Sequence, residues 1–300
     1  GLVGSEMCIR DSTCLAIDIG GTKLAAGLVD GTGRILTHDQ VPTPSTDDAE
    51  ELFAVLGDLI GKVTDAGGQR PEVVGVGCGG PMSLALGEVS PLNIPAWRSF
   101  ALRVRLETLL GIPVRLENDA KALALGEGWL GAAQALENFA AMVVSTGIGG
   151  GIVLDGQLLH GRMGNAGHLG HLIVVPGGRR CACGARGCLE AEASGTAIQA
   201  RTGRPAADAG HEERRRCGEL VGRAVASVVT LLDLEVVVVA GSVALGFGEE
   251  FFEAANASLE EHVGLTYTKD ARIIPAGLGA DGPLIGAAAV GFSERGAQAR

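Results

Sequence analysis

Apolar positions alternate with small or polar ones through Leu15, Ile17 and Ile19, and the alternation resumes at Ala26 and Leu28 after a glycine turn. This period of two predicts strand, turn and strand over residues 13–30, TCLAIDIGGTKLAAGLVD. The period then lengthens. Leu52, Val55, Leu56, Leu59, Ile60 and Val63 recur at helical spacing and predict a helix over 47–66, capped by Thr46 or Asp47. Val73–Val76 reads as a short buried strand ending in GCGGPM, Ser99–Leu110 as a helix, Pro113–Leu116 as a strand and Asp119–Leu130 as a helix. Ala141–Val144 starts a new strand, STGIGGG follows, and Ile152–Leu154 makes another. Residues 161–190 are rich in Gly, His and Cys and show little period. Helices are expected near 212–232 and 247–262, with the strand Val236–Ala240 and the pair Gly241-Ser242 between them, and a final Ala- and Gly-rich helix near 282–292.

Alternating strands and helices define an α/β class. The strand, glycine turn and strand around STGIGGG repeat the logic of the opening hairpin, with Asp30 and Asp155 closing the two units. An internal duplication is therefore expected, with two similar halves and a cleft between them.

With 46% of its 300 residues hydrophobic, the chain can bury a large core, which excludes intrinsic disorder. Its 48 glycines lack a Gly-X-Y period, so collagen is excluded too; they cluster at 75–80, 147–151 and 161–170, where tight turns or close backbone approach are expected. A net charge of −11, with Arg214–Arg216 as the triple basic run, argues against nucleic acid, which needs clustered cations. A small anion remains within reach, because backbone N–H groups bind phosphate whatever the net charge. No apolar stretch approaches the ~18 residues of a membrane helix. Residues 1–12, GLVGSEMCIRDS, have neither a signal-peptide core nor an apolar period, and read as a non-native or disordered leader. An odd count of 7 cysteines without a signal peptide points to a reducing, cytoplasmic compartment rather than a disulfide framework.

Five motifs carry chemistry. In DIGGTK, Gly20, Gly21, Thr22 and Lys23 follow a strand and offer N–H groups, a hydroxyl and a charge to an anion, with Asp18 at the strand end suited to a metal's water shell. An ordinary hairpin turn would look similar. STGIGGG, with Thr146 and Gly147, repeats the arrangement, so that two loops would grip one polyphosphate. In ENDA, Asp119 at a strand end suits a general base for a hydroxyl and Asn118 an orienting group, against the alternative that both simply cap a helix. His171 with Cys181, Cys183 and Cys188 has the spacing of a tetrahedral zinc site with no position open for catalysis. A zinc loop folding back would bring His168 of GHLGH near Glu190, and both side chains hydrogen-bond sugar hydroxyls. Dinucleotide and Walker signatures fail: GxGxxG at Gly75–Gly80 runs into Pro81 and a loop, and Gly61-Lys62 is followed by Val63.

Taken in order, DIGGTK, GCGGP, PLNIPAW, ENDA, STGIGGG, GHLGH, CACGARGC-Leu189-Glu190 and VVVVAGS resemble the ROK family of sugar kinases over nearly the whole chain from residue 13. The resemblance implies an actin-like (RNase H-like) duplicated two-domain α/β fold with an interdomain cleft. Residues 13–120 and the C-terminal helix, about 283–300, would form the first domain, and 121–282, with the zinc loop 171–188, the second. It implies ATP, Mg²⁺ and structural Zn²⁺ as cofactors, and a homodimer. Asp119 matches the catalytic base; Gly80, Asn118, His168, His171 and Glu190 match sugar contacts. Gly20–Lys23 match the first phosphate loop, Thr146 and Gly147 the second, Gly241 the turn beside the adenosine, and His171 with the cysteines the zinc ligands. Many members, glucokinases among them, carry Glu at the position of His168, whereas bacterial kinases of N-acetylmannosamine resemble this chain in having His. Imidazole and carboxylate differ in donor and acceptor capacity, which counts against glucose as the preferred acceptor without excluding it, and glucose and N-acetylmannosamine both stand as the favoured sugars. A sugar-responsive regulator of the same family would carry a basic DNA-binding segment that residues 1–12 do not supply, and a non-catalytic sugar-binding module would not need Asp119 and both phosphate loops.

Overall fold

The computed structural model of the chain describes residues 12–293. Cys8 and the expected leader, Ser12 apart, lie outside the described residues, as does the expected continuation of the last helix over 294–300. In chain order the elements are β1 (Thr13–Ile19), β2 (Lys23–Asp30), β3 (Ile35–Pro42), α1 (Ala49–Gly67), β4 (Val73–Cys78), β5 (Met82–Ser83), β6 (Glu88–Val89), α2 (Leu102–Leu110), β7 (Val114–Asn118) and α3 (Asp119–Leu130). There follow β8 (Phe139–Val144), β9 (Ile148–Leu154), β10 (Gln157–Leu158), α4 (Leu189–Ala193), α5 (Gly195–Thr202), α6 (His211–Leu232), β11 (Val236–Ala240), α7 (Ser242–Phe247), α8 (Glu249–His262), β12 (Arg272–Pro275) and α9 (Gly282–Phe292).

Two compact units result. One contains the chain up to Leu130, the segment His160–Asn165 and the residues from Ala280 on; the other contains Gly131–Leu159 and Ala166–Gly279. Their sheets have the orders β3-β2-β1-β4-β7 and β10-β9-β8-β11-β12. In each, the first three strands are antiparallel and the last two join in parallel. The same topology built twice is the duplicated α/β fold that the hairpin repeat predicts. No helix among the described residues is long and apolar enough to cross a membrane.

Local differences from the sequence pattern have local causes. The cap of α1 is Asp48, whose carboxylate accepts the Glu50 N–H at 2.8 Å; Thr46 is occupied by Glu51. Helix α2 starts at Leu102 rather than Ser99, because Ser99 takes a left-handed φ of 48° and Phe100 pairs with Val89. Strand β3 carries no buried residue and gave no apolar signal. Strand β9 reaches back to Ile148, so three glycines of STGIGGG are strand, paired with Ala141–Val143.

The first sheet has two unlike faces. Leu15, Ile17, Ile19, Val74 and Val76 bury large side chains in one cluster with Leu52, Leu56 and Leu59 of α1. The opposite face is made of small residues, and α3 and α9 come down on it. A Cβ on Gly75 would lie 1.9 Å from the Ala287 carbonyl of α9, and one on Gly286 2.7 Å from the Ala122 carbonyl of α3. These are backbone-to-backbone contacts that no side-chain rotation relieves.

Gly75→Ala should therefore lower the thermal unfolding midpoint, by a destabilisation of about 2–3 kcal/mol or more. Gly61→Ala, within α1 where an added Cβ meets nothing within 4 Å, should raise it through a gain of about 0.5–1 kcal/mol. Equal midpoints for the two variants would contradict the close-packed face.

Candidate active site and metal centre

Strand register builds the first part of the site. Asp18, Gly77 and Glu117 share one row across β1, β4 and β7, and Ile19, Cys78 and Asn118 the next. Asp119 then opens α3 directly above Gly77: a Cβ there would lie 3.6 Å from Asp119 Cα and 3.8 Å from Asp18 Oδ1. Gly79 lies under Asp119 Oδ2 and Gly80 under Asn118 Nδ2, with added Cβ positions at 3.9 and 3.3 Å. Asp18, Gly80, Asn118 and Asp119 thus converge at the carboxyl ends of parallel strands, the usual ligand edge of such sheets. The capping alternative also holds in part, since Asn118 Oδ1 and Asp119 Oδ1 both accept the Ala120 N–H, at 3.2 and 2.8 Å.

Crowding two carboxylates onto this edge has an electrostatic consequence. Burial, and then the facing Asp119, push Asp18 up from 3.8 to about 7, while Lys23 pulls it partly back. The Cys78 thiol, buried behind both, is pushed well above its ordinary value by burial and then by Asp119 and Asp18.

The first glycine turn is closed by the Gly20 N–H donating to the Lys23 carbonyl at 3.0 Å and tied down by Thr43 Oγ1 donating to the Gly20 carbonyl at 2.7 Å. Gly21, Thr22 and Lys23 are exposed, and Lys23 Nζ donates to Gln40 Oε1. Position 21 has no room for a side chain, because an added Cβ would sit 2.5 Å from Asn93 Cβ. A polar hollow of about 260 Å³ opens there, lined by Gly21, Thr43, Ser45, Thr46, Asp47 and Asn93.

In the second unit three turns meet at the ends of β8 and β11. Ser145 Oγ and Ser242 Oγ are 2.9 Å apart, and Thr196 donates to the Thr146 carbonyl through both its N–H and its hydroxyl. Gly241, with φ 101°, packs on the Val144 carbonyl, where a Cβ would come within 2.3 Å. Glu190 Oε2 accepts the Ile148 N–H at 2.9 Å and lies against Gly147. Thr146, Gly147, Glu190 and Gly241 are therefore neighbours. The glycines after Gly147 serve packing: Leu169 lies on Gly150, Gly167 on the Gly150 carbonyl and Gly170 on the Ile148 carbonyl, so the GHLGH segment rests on β9. His168 is exposed there, its ring centroid 6.1 Å from that of His171.

His171, Cys181, Cys183 and Cys188 bring their donor atoms within 4.8 Å of one another, the metal-type cluster that the cysteine spacing predicts. Cys183 Sγ and Cys188 Sγ are 3.7 Å apart, and Cys181 Sγ and His171 Nδ1 3.6 Å. Tetrahedral Zn–S bonds of about 2.3 Å separate two sulfurs by about 3.8 Å, so the donor set fits zinc. Burial, then the neighbouring thiols, push Cys188 up to about 12, and a bound cation would reverse that crowding. With Nδ1 turned to the thiols, His171 keeps Nε2 for a second partner.

Sequence reasoning passed over Glu117, Lys121 and His160. Lys121 is fully buried, with Nζ 3.1 Å from Glu117 Oε1, and His160 Nδ1 is 3.2 Å from Glu117 Oε2. The signal was present as the i, i+4 pair of Glu117 and Lys121, with Lys121 standing between Ala120 and Ala122 in an otherwise apolar run.

Residues 14–292 match the model of the ROK family. The N-acetylmannosamine kinase of Salmonella typhi is 37% identical over 300 residues, covering 91% of this chain and 100% of the relative. The glucokinase of Thermotoga maritima is 32% identical over 308 residues, covering 92% and 96%. Among solved structures, a ROK family glucokinase from Streptomyces griseus in complex with glucose and AMPPNP superposes with a TM-score of 0.82 at 31% identity, covering 93% of this chain and 99% of the other.

Two outcomes follow from the site's geometry. Asp18 holds a proton in the folded protein between pH 4 and 7 that the unfolded chain releases, so its contribution to stability falls as pH rises through that window and stays lost above it. Asp18→Asn in the ligand-free protein should unfold at a higher temperature than the parent at pH 8, by roughly 2–4 kcal/mol, and with little difference at pH 4. A gap that does not grow with pH would contradict the raised Asp18. For the metal centre, about one equivalent of zinc should co-purify with reduced protein and be lost in Cys183→Ser. Elemental analysis finding no metal in the parent would exclude the site.

Proposed function

The chain belongs to the ROK family, and on that premise we propose that it is an ATP-dependent sugar kinase. It would transfer the γ-phosphoryl group to the 6-hydroxyl of a hexose or N-acylhexosamine, with glucose and N-acetylmannosamine as the favoured acceptors. The observation that most supports this reading is Asp119 at the carboxyl edge of a parallel sheet, with a second carboxylate and a glycine turn on the neighbouring strands. Whole-chain identity to kinases of both sugars agrees with it.

In this reading Asp119 takes the proton of the sugar's 6-hydroxyl. The freed oxygen attacks the γ-phosphorus, and the bond to the β,γ-bridging oxygen breaks to release ADP. The Ala120 N–H on Oδ1 fixes the carboxylate's orientation, which turns Oδ2 toward Gly79. Such reactions depend mainly on positioning and on stabilising charge. Gly80, Asn118, His168, His171 and Glu190 are assigned to the sugar. Gly20, Gly21, Thr22 and Lys23, with Thr146 and Gly147, are assigned to the polyphosphate, and Gly241 to the nucleoside. Mg²⁺ bound with ATP would supply positive charge to the phosphoryl oxygens, and Asp18 is the carboxylate that would face its water shell. Zinc, held by His171, Cys181, Cys183 and Cys188, would do no chemistry and would fix the segment that carries His168.

Coupled ADP release against glucose, N-acetylglucosamine, N-acetylmannosamine, mannose and allose tests the reading, with one of the five expected to stimulate turnover. Asp119→Asn should still bind that sugar while kcat falls by about 10²–10⁴-fold. Sugar binding without ADP release from the parent enzyme would point to a non-catalytic sugar-binding protein, and near-normal kcat in the variant would remove Asp119 from the chemistry.

A further inference from the structure

Glu117 and Lys121 are 3% and 0% exposed, a buried pair of opposite charges that spans the junction from the end of β7 into the first turn of α3. Their contacts are directional. Glu117 Oε1 accepts the N–H of Asn118 at 2.9 Å and lies 3.1 Å from Lys121 Nζ, so one oxygen serves both the lysine and the peptide that leads into Asp119. Glu117 Oε2 faces His160 Nδ1 at 3.2 Å. Lys121 Nζ also donates to the Gly164 carbonyl at 2.8 Å and stands 3.4 Å from His160 Nδ1. Burial pushes the Lys121 ammonium down from the ordinary lysine range, and Glu117 pulls it back up.

A buried carboxylate in the same strand row as Asp18 is expensive unless compensated, and Lys121 is the fully buried cation on it. We propose that Lys121 is a positioning residue for the Asn118–Asp119 pair, its ammonium holding the Glu117 carboxylate that in turn holds the Asn118 peptide N–H. Lys121 acts on the reaction through Glu117. The proposal rests on the reading of Asp119 as the base and Asn118 as a sugar contact. A displacement of the order of 1 Å in such a pair costs up to about 10²-fold in rate, which sets the scale of the effect.

Three variants of the full chain separate charge from shape: Lys121→Met, Glu117→Gln and the two combined. Each is measured for kcat and for both KM values per folded molecule, with Asp119→Asn in parallel. Lys121→Met leaves Glu117 short of its buried cation, and kcat should fall about 10- to 100-fold while the KM for ATP moves less than about twofold. The combined variant removes both charges and keeps an amide oxygen for the Asn118 N–H, so kcat should return to within about threefold of the parent. A role confined to stability would shift the unfolding midpoint and leave kcat per folded molecule unchanged, and that result overturns the proposal. So does a combined variant as slow as Lys121→Met. If Lys121→Met does not fold, the combined variant is compared with Glu117→Gln: faster supports the proposal, equal or slower overturns it. A fully active Lys121→Met beside an inactive Asp119→Asn would reject the lysine's role alone. An active Asp119→Asn would reject the base, and with it the target that Lys121 is proposed to position.

Discussion

The chemistry of the first unit depends on how closely helix backbone can approach one face of a β-sheet. Gly75 and Gly77 on β4 leave no side chain between the sheet and the helices α9 and α3, and Gly286 lets those helices meet each other. The large residues of the same strands point the other way, into the cluster under α1. Because α3 sits so low, its first residue, Asp119, reaches the level of Asp18 on β1. Ordinary side chains on that face would lift the helix by several ångströms, and the two carboxylates would not share an environment.

The same closeness creates an electrostatic burden. Asp18, Asp119 and Glu117 gather on one edge of the sheet, and the protein answers each differently. Asp18 is raised far enough to hold a proton near neutrality. Asp119 is capped by its own helix, as α3 begins there. Glu117 is compensated by a buried lysine and faces His160.

In the second unit the same sheet topology is put to another use. Its glycines on β9 receive a loop rather than a helix, and the GHLGH segment lies on bare strand backbone. The four-donor cluster fastens one end of that segment at His171, and Glu190, just after Cys188, reaches the Gly147 turn. One short stretch of chain therefore links the four-donor cluster to the turn assigned to phosphate. Such tethering holds an exposed side chain like His168 in place without burying it.

Much of this was legible in the sequence. Periodicity predicted β1, β2 and α1 nearly to their ends, because their apolar residues face a core at the spacing each backbone geometry imposes, and composition marked α3 and α9. The cysteine spacing predicted a four-donor cluster, since loops so short leave the thiols few places to go. Strand β3 was silent, being an edge strand none of whose residues is buried, so that hydrophobic constraint on it is weak. The start of α2 was misplaced because a bridge between Phe100 and Val89 claims residues that local propensity would give to the helix. The glycines of STGIGGG read as one phosphate loop, and pairing with Ala141–Val143, with packing against Leu169 and Gly167, divides them into a turn and a strand. The sequence by itself determined the class, the duplication and the chemistry of single residues, all of which depend on neighbours along the chain. Which carboxylates face one another, and which lysine compensates a buried glutamate, depended on strand register and on the depth at which a helix settles. Those are contacts between residues far apart in the chain, and only the folded structure brings them together.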